Sequence, residues 1–206
     1  MPKNNLYVFE NDLYSKGYKK IAGLDEAGRG SWAGPLVVAI CILPVGYKND
    51  EIDDSKKLSA IKREKLYSVI TNDALYWNVS IVEPSVIDKL NIKAATIQAM
   101  NKLIPESGCD FALIDAEKVD FQKSNSIIKG DALSITIAAA SILAKVTRDR
   151  IMIELDKTYP LYCFKSNKGY GTSTHIHALE KNGIIEKVHR VSYAPIKNII
   201  NKTKTK

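Results

Sequence analysis

The stretch IAGLDEAGRGSWAGPLVVAICIL, Ile21 to Leu43, decides the fold. Ile21-Ala22-Gly23-Leu24 is a short apolar strand candidate that runs into two adjacent acids, Asp25 and Glu26. The following Gly28-Arg29-Gly30-Ser31-Trp32-Ala33 matches G-x-G-x-x-A, the pattern of a dinucleotide-binding loop. That fingerprint needs a helix immediately after the loop. Here Pro35 leads instead into Leu36-Val37-Val38-Ala39-Ile40-Cys41-Ile42-Leu43, a β-branched run closed by Pro44 and too short for a typical helix. Two strands joined by a short link, with no helix between them, pair antiparallel. The segment therefore reads as strand, loop, strand.

Further along the chain, Asp53 to Leu58 reads as a loop and a helix follows from Ser59 to about Thr71. Leu75 to Val82 alternates as a third strand. Ser85 with Asp88 resembles a capping box that opens a helix ending before Pro105. Phe111-Ala112-Leu113-Ile114 is a strand ending at Asp115, and Ser126 to Lys129 a short strand ending near Asp131. Ile135, Ala138, Ala139, Ile142, Leu143 and Val146 recur at helical spacing and mark the longest helix. Lys145, Arg148 and Arg150 lie toward its end, where cations suit the helix dipole. A polar, Gly-rich loop from Ser166 to Thr172 precedes two short helices, starting near Ser173 and Ser192. The tail from Asn201 is expected to fray. The pattern predicts an α/β fold: a mixed sheet of about five strands, the first three antiparallel, flanked by helices. It predicts a single domain over 1–206, with a helical C-terminal extension over about 173–206.

Composition narrows the function classes. The 206 residues are 45% hydrophobic and 26% charged, ordinary for a globular protein. A net charge of +7 and a pI near 9.1 favour polyanionic partners, although many basic proteins bind no nucleic acid. No apolar run reaches the length of about 18 residues needed to span a bilayer, so no membrane association is expected. Leu6 to Phe9 is too short for a signal-peptide core. Cys41, Cys109 and Cys163 are far apart and form no C-x-x-C pair, which argues against a disulfide framework or a zinc site. A cytoplasmic location is expected, and the sequons at Asn78 and Asn201 are chance matches.

The acids carry the chemistry. Asp25 and Asp115 each end a strand, where ligand sites of open α/β sheets form. Oxygen ligands from separate elements suit magnesium, and two such ions can clamp the attacking and leaving oxygens of phosphodiester hydrolysis. Taken singly, each acid has another reading: Asp25 as a turn residue, Asp115 as a cap, Asp131 as a helix N-cap. His175 and His177 are two apart on a helix and do not share a face. His189 has no assigned role.

Gly23-Leu24-Asp25-Glu26-Ala27-Gly28-Arg29-Gly30 with Ala33-Gly34-Pro35 resembles type 2 ribonuclease H (ribonuclease HII). Four further stretches are similar in the same order: Asp54-Ser55-Lys56-Lys57-Leu58-Ser59, Leu113-Ile114-Asp115, Lys129-Gly130-Asp131 with Ile137 to Asp149, and Asn167 to Thr172. The likeness spans roughly 20–196. It implies the ribonuclease H-like fold and four metal-binding catalytic acids, Asp25, Glu26, Asp115 and Asp131, with magnesium or manganese as cofactor. It implies that Gly28, Arg29 and Gly30 contact the strand around the scissile ribonucleotide and that Tyr170 packs on the next sugar. The implied substrates are RNA/DNA hybrids and duplex DNA containing embedded ribonucleotides, cut to leave 3′-hydroxyl and 5′-phosphate ends, by an endonuclease of DNA replication and repair. Ala116-Glu117 departs from the resemblance, since the family commonly has Gly after the third acid, and Ser31-Trp32 replaces a commoner Pro-Leu.

Lys56, Lys57, Lys145, Lys168 and Arg148 are candidate phosphate contacts, with Lys56 and Lys168 foremost, and a solvated charge is the alternative for each. Glu117 is a candidate extra acid. Asp149, between two arginines, suits ion pairing better than metal binding. Tyr170, flanked by Gly169 and Gly171, reads as an exposed loop tyrosine rather than a half-buried one. A monomer is expected. A non-catalytic nucleic-acid-binding module would explain the charge, but leaves the strand-end acids repelling phosphate. A dinucleotide-dependent oxidoreductase would need the helix that Pro35 denies.

Overall fold

The computed structural model describes residues 6 to 204. Its elements run α1 (Val8–Ser15), β1 (Ile21–Ala27), β2 (Leu36–Ile42), α2 (Ala60–Asp73), β3 (Tyr76–Val82), α3 (Pro84–Leu90), α4 (Ile92–Ser107), β4 (Phe111–Asp115), β5 (Ser124–Ile127), α5 (Ile135–Thr158), α6 (Phe164–Asn167), α7 (Ser173–Asn182) and α8 (Ala194–Lys204). The strands form one five-stranded sheet in the order β3-β2-β1-β4-β5. The first three are antiparallel, and β4 and β5 join β1 in parallel, as expected of the mixed sheet. Ser59 caps α2 by accepting the Lys62 amide at 3.2 Å.

The structure departs from the sequence pattern at several places. The helix expected from Ser85 breaks at Asn91, whose φ of 69° no helix tolerates. Asn91 then restarts the chain as α4, its side chain accepting the Ala94 amide at 3.0 Å. Ser85 is not a cap: Glu83 takes that position and Pro84 opens α3, where a missing N–H does no harm. Asp88 instead accepts the amides of Val191 at 3.0 Å and Ser192 at 2.8 Å. Pro105 lies inside the last turn of α4 rather than beyond it. The tail from Asn201 is helical through Lys204, and Thr205 and Lys206 lie outside the described residues.

The chain divides into two compact units. The first comprises 1–27, 38–80 and 96–146; the second comprises 28–37, 81–95 and 147–206. In the first unit Leu13, Ile21, Leu113, Ile127 and Ile137 are buried together, with Phe9, Tyr14 and Tyr18 packed on them. Gly23 lies against α5 so closely that a Cβ would strike the backbone of Thr136 and Ile137. Glu10 of α1 is buried at the start of α5. It accepts Ser134 Oγ at 2.6 Å, Thr136 Oγ1 at 2.8 Å and the Thr136 amide at 3.1 Å, a carboxylate at a helix N-terminus. In the second unit Ala33, Met152, Tyr162, Phe164, Leu179 and Ile196 form the core.

Candidate active site

The acids belong to the first unit. β1 and β4 pair in parallel with Leu24 opposite Ile114, so Asp25 and Asp115 are the next residues in register on neighbouring strands. Adjacent strands lie about 4.8 Å apart, which sets two carboxylates side by side at the carboxyl ends of the sheet. Each is held by backbone. Asp25 accepts the Glu26 amide at 2.7 Å and a hydrogen bond from Ser141. Asp115 Oδ1 accepts the Gly130 amide at 2.7 Å, which fixes the residue next to Asp131. Asp131 is buried in the short turn Gly130–Ala132, not at the N-cap of α5, and its Oδ2 takes the Lys56 ammonium at 3.0 Å.

Electrostatics mark these carboxyls as unusual. Burial, then the charges of Glu26 and Asp115, hold Asp25 well above the ordinary carboxylate range. Asp115 is likewise raised, by burial and then by Asp131 and Asp54, against the pull of the Gly130 amide and Lys56. Burial opposes the charge on Lys56, but its hydrogen bond to Asp131 and the charges of Asp131, Asp25 and Asp54 outweigh that and raise it. Among the described residues no group of three His, Cys, Asp or Glu side chains is already arranged to hold a metal ion. The carboxylates act on one another pairwise instead. An all-oxygen, mutually repelling donor set nonetheless fits a hard divalent cation, which lowers the energy of the charged forms that burial and repulsion oppose.

The loop that follows belongs to the second unit. Two buried arginines hold it. Arg148 donates from Nε to the Pro35 carbonyl at 2.9 Å and from its terminal nitrogens to Lys168 O at 2.9 Å, Ser31 Oγ at 2.7 Å and Ala33 O at 3.1 Å. Arg190 donates to Gly34 O at 3.1 and 3.0 Å and to Arg29 O at 3.1 Å, and Tyr193 Oη adds a bond to Arg29 O at 2.7 Å. Gly28, at φ 94°, lies against the Arg148 guanidinium where no Cβ would fit. Gly30 is exposed and Arg29 partly so. Tyr170 is 37% exposed, with the Arg148 guanidinium 5.5 Å from its ring centroid. Its loop is bound to the first by the Trp32 and Ala33 amides, which donate to Gly169 O at 2.7 and 3.2 Å.

The structure overturns the expectation for Arg148 and gives a place to the other candidates. Arg148 is fully buried and binds carbonyls, so it is not a phosphate contact. Burial pushes it down to about 10, still charged at neutral pH. Lys57 pairs with Asp53 at 3.1 Å, and Lys168 Nζ donates to Lys165 O at 2.7 Å. Glu117 is buried. Ala116 has φ 54°, the left-handed region that favours the glycine it replaces. Sequence reasoning missed Ser141, whose hydroxyl also meets Ser55 Oγ at 2.7 Å, as well as the loop-holding role of Arg190. It also missed His189, which meets His175 at 3.1 Å between their Nε2 atoms.

The family model for ribonuclease HII matches residues 22–196. The ribonuclease HII of Bacillus thuringiensis (strain Al Hakam) is 51% identical over 197 residues, covering 94% of this chain and 76% of that protein. The ribonuclease H2 of Pyrococcus horikoshii superposes with a TM-score of 0.71 at 25% identity, covering 91% of this chain and all of that one. A chain of the PCNA:RNase HII complex from Archaeoglobus fulgidus gives 0.71 at 26% identity, covering 82% of this chain and 93% of that one. The chain belongs to the ribonuclease HII family and is, with that family, a divalent-metal-dependent endoribonuclease acting on RNA/DNA hybrids.

Proposed function

We propose that the chain hydrolyses the RNA strand of hybrids and also nicks duplex DNA at single embedded ribonucleotides, leaving 3′-hydroxyl and 5′-phosphate ends. The observation that carries this is the pair Asp25 and Asp115, in matching register toward the carboxyl ends of adjacent parallel strands, each raised in part by neighbouring acids. Asp25, Glu26, Asp115 and Asp131 would hold magnesium or manganese. Bound there, the ions supply activation of water and neutralisation of charge on the leaving oxygen. Asp115 carries a second duty, since its grip on the Gly130 amide orients Asp131. Lys56 offers the ammonium now on Asp131 to an incoming phosphate.

Only Ala27 separates Glu26 from Gly28 along the chain. The 2′-hydroxyl is the group that tells RNA from DNA at one nucleotide, and it both donates and accepts. Backbone at Gly28 to Gly30 suits its recognition: Gly30 is exposed with open space beside its Cα, where a ligand can approach closely, and Gly28 seats the Arg148 guanidinium that holds the loop. The Arg29 side chain would take a phosphate. Tyr170, exposed on its loop, would pack on the sugar beyond the ribonucleotide. Lys168 would contact phosphate after leaving Lys165 O. The proposed setting is a monomer in the cytoplasm, in keeping with three free cysteines.

Asp115→Asn tests the metal site. Cleavage of a hybrid should fall by orders of magnitude while duplex affinity stays near that of the parent chain. Cleavage at the parent rate would defeat the assignment. A parent chain that binds duplex but cuts none would favour a binding module.

A further inference from the structure

Tyr170 reaches the protein interior through its own backbone carbonyl. That oxygen accepts the Thr172 amide at 2.8 Å and meets Nδ1 of His175 at 3.0 Å. His175 is buried in the first turn of α7, and its Nε2 lies 3.1 Å from Nε2 of His189, also buried. Nδ1 of His189 receives the Ile185 amide at 2.8 Å. Two imidazoles thus stand end to end between a backbone carbonyl and a backbone amide, all within the second unit.

The two ends fix every proton between them. A carbonyl only accepts, so His175 Nδ1 carries hydrogen. In a neutral ring its Nε2 is then a lone pair, so the hydrogen between the rings belongs to His189 Nε2. His189 Nδ1 is left as the acceptor that the Ile185 N–H requires. One pair of tautomers satisfies the whole chain, with neither ring charged. An added proton has no good place. With His189 Nε2 still protonated, it sets two N–H groups face to face. Moving that hydrogen to Nδ1 turns it toward Ile185 O, 3.2 Å away, and leaves the Ile185 amide without its acceptor. The surroundings favour neutrality: Trp32 and Phe164 pack on His175, and Phe164 and Tyr162 on His189. Tyr162 is the titratable group among these ring neighbours, and its hydroxyl donates to Gly183 O at 2.9 Å. Burial holds both imidazoles below their ordinary value, that of His189 at about 4.

We propose that His175 and His189 are positioning residues for substrate discrimination: a one-directional hydrogen-bond relay from the Ile185 amide to the Tyr170 carbonyl that sets the tyrosine against the sugar. This rests on the reading of Tyr170 as the sugar-contacting residue. The relay is aimed at the one loop whose geometry a single ribonucleotide tests and a continuous hybrid tests less, because a hybrid offers many registers.

The test measures kcat/KM on a DNA duplex with one ribonucleotide and on a continuous hybrid. Tyr170→Ala should lower the first relative to the second. His175→Leu should lower the same ratio, by roughly three- to tenfold for one lost hydrogen bond. His175→Asn, which carries an amide N–H near the Nδ1 position, should restore it. Imidazole nitrogen NMR of the full chain at neutral pH should show hydrogen on His175 Nδ1 and His189 Nε2 and both rings uncharged. Any other tautomer pair overturns the relay, whatever Tyr170 does and even if His175→Leu fails to fold. A changed ratio in Tyr170→Ala with an unchanged one in His175→Leu overturns the positioning role alone. An unchanged ratio in Tyr170→Ala, with the expected tautomers, overturns the role of Tyr170 and with it the discrimination claim.

Discussion

Replacing Arg148 with methionine should unfold the loop that follows the first two acids before it affects anything else. The change keeps an apolar stem of similar length and removes a guanidinium that makes four hydrogen bonds, three of them to carbonyls of Pro35, Ala33 and Lys168. Each buried acceptor left without a donor costs about 1–3 kcal/mol. Three such losses are partly offset by relief of a buried charge, whose desolvation is itself several kcal/mol. The losses come to about 3–9 kcal/mol before that offset, so the net expectation is a destabilisation of about 3 kcal/mol, against a total stability of about 5–15 kcal/mol. With a urea dependence of about 1–3 kcal/mol per molar, the unfolding midpoint should fall by more than about 1 M. Arg150→Met, two residues on at an exposed position of the same helix, should change stability by no more than about 0.5 kcal/mol. Hydrogen exchange should quicken at the Trp32, Ala33 and Gly34 amides, which bond Gly169 and Val188 carbonyls. A midpoint near the parent's, with these amides still protected, would refute the reasoning.

Three further outcomes follow from particular residues. His189, at about 4 in the folded chain and near 6.5 unfolded, adds nothing above pH 6.5, where both states are neutral. As pH falls the unfolded chain takes the proton first, so about 3 kcal/mol of stability is lost by pH 4. The loss is read by denaturation as the difference between the parent and His189→Gln, because Asp25 and Asp115, raised in the fold, work in the opposite direction; parallel profiles would contradict it. Ala116→Gly should stabilise by about 0.5–1 kcal/mol, since left-handed backbone penalises alanine by more than glycine gains in the unfolded chain; a lower melting temperature would count against strain at φ 54°. Gly23→Ala should destabilise by about 3 kcal/mol or more, because its methyl strikes the backbone of α5; a thermal melt within about 1 kcal/mol of the parent would contradict that contact.

What the sequence made legible was local. Pro35 and the β-branched run after it settled strand against helix, and Asp115 could be seen as the acid that ends β4, while β1 runs two residues past Asp25 to Ala27. The long helix showed in its periodicity, and the family likeness joined the distant pieces. What it hid depended on partners far along the chain. α1 has eight residues, too few to persist alone, and Glu10 ties it to Ser134 and Thr136, more than 120 positions away. Arg148 looked like a cation at a helix end, and nothing nearby in sequence announces the carbonyls it holds. His175 and His189 were two unrelated histidines until the backbones at Tyr170 and Ile185 gave each ring nitrogen a role. Asp88 matched a capping box and serves a different loop, because capping depends on backbone angles that the motif does not fix.

The most direct test of the central claim is the mapping of products from a DNA duplex that carries one ribonucleotide, incubated with the purified chain with and without magnesium. A single nick on the 5′ side of the ribonucleotide or within its immediate flank, with a 3′-hydroxyl and a 5′-phosphate and only when magnesium is present, is the expected result. Metal-independent cleavage, or ends bearing a 2′,3′-cyclic phosphate, would mean that the 2′-hydroxyl and not water is the nucleophile, and would contradict the role given to Asp25, Glu26, Asp115 and Asp131.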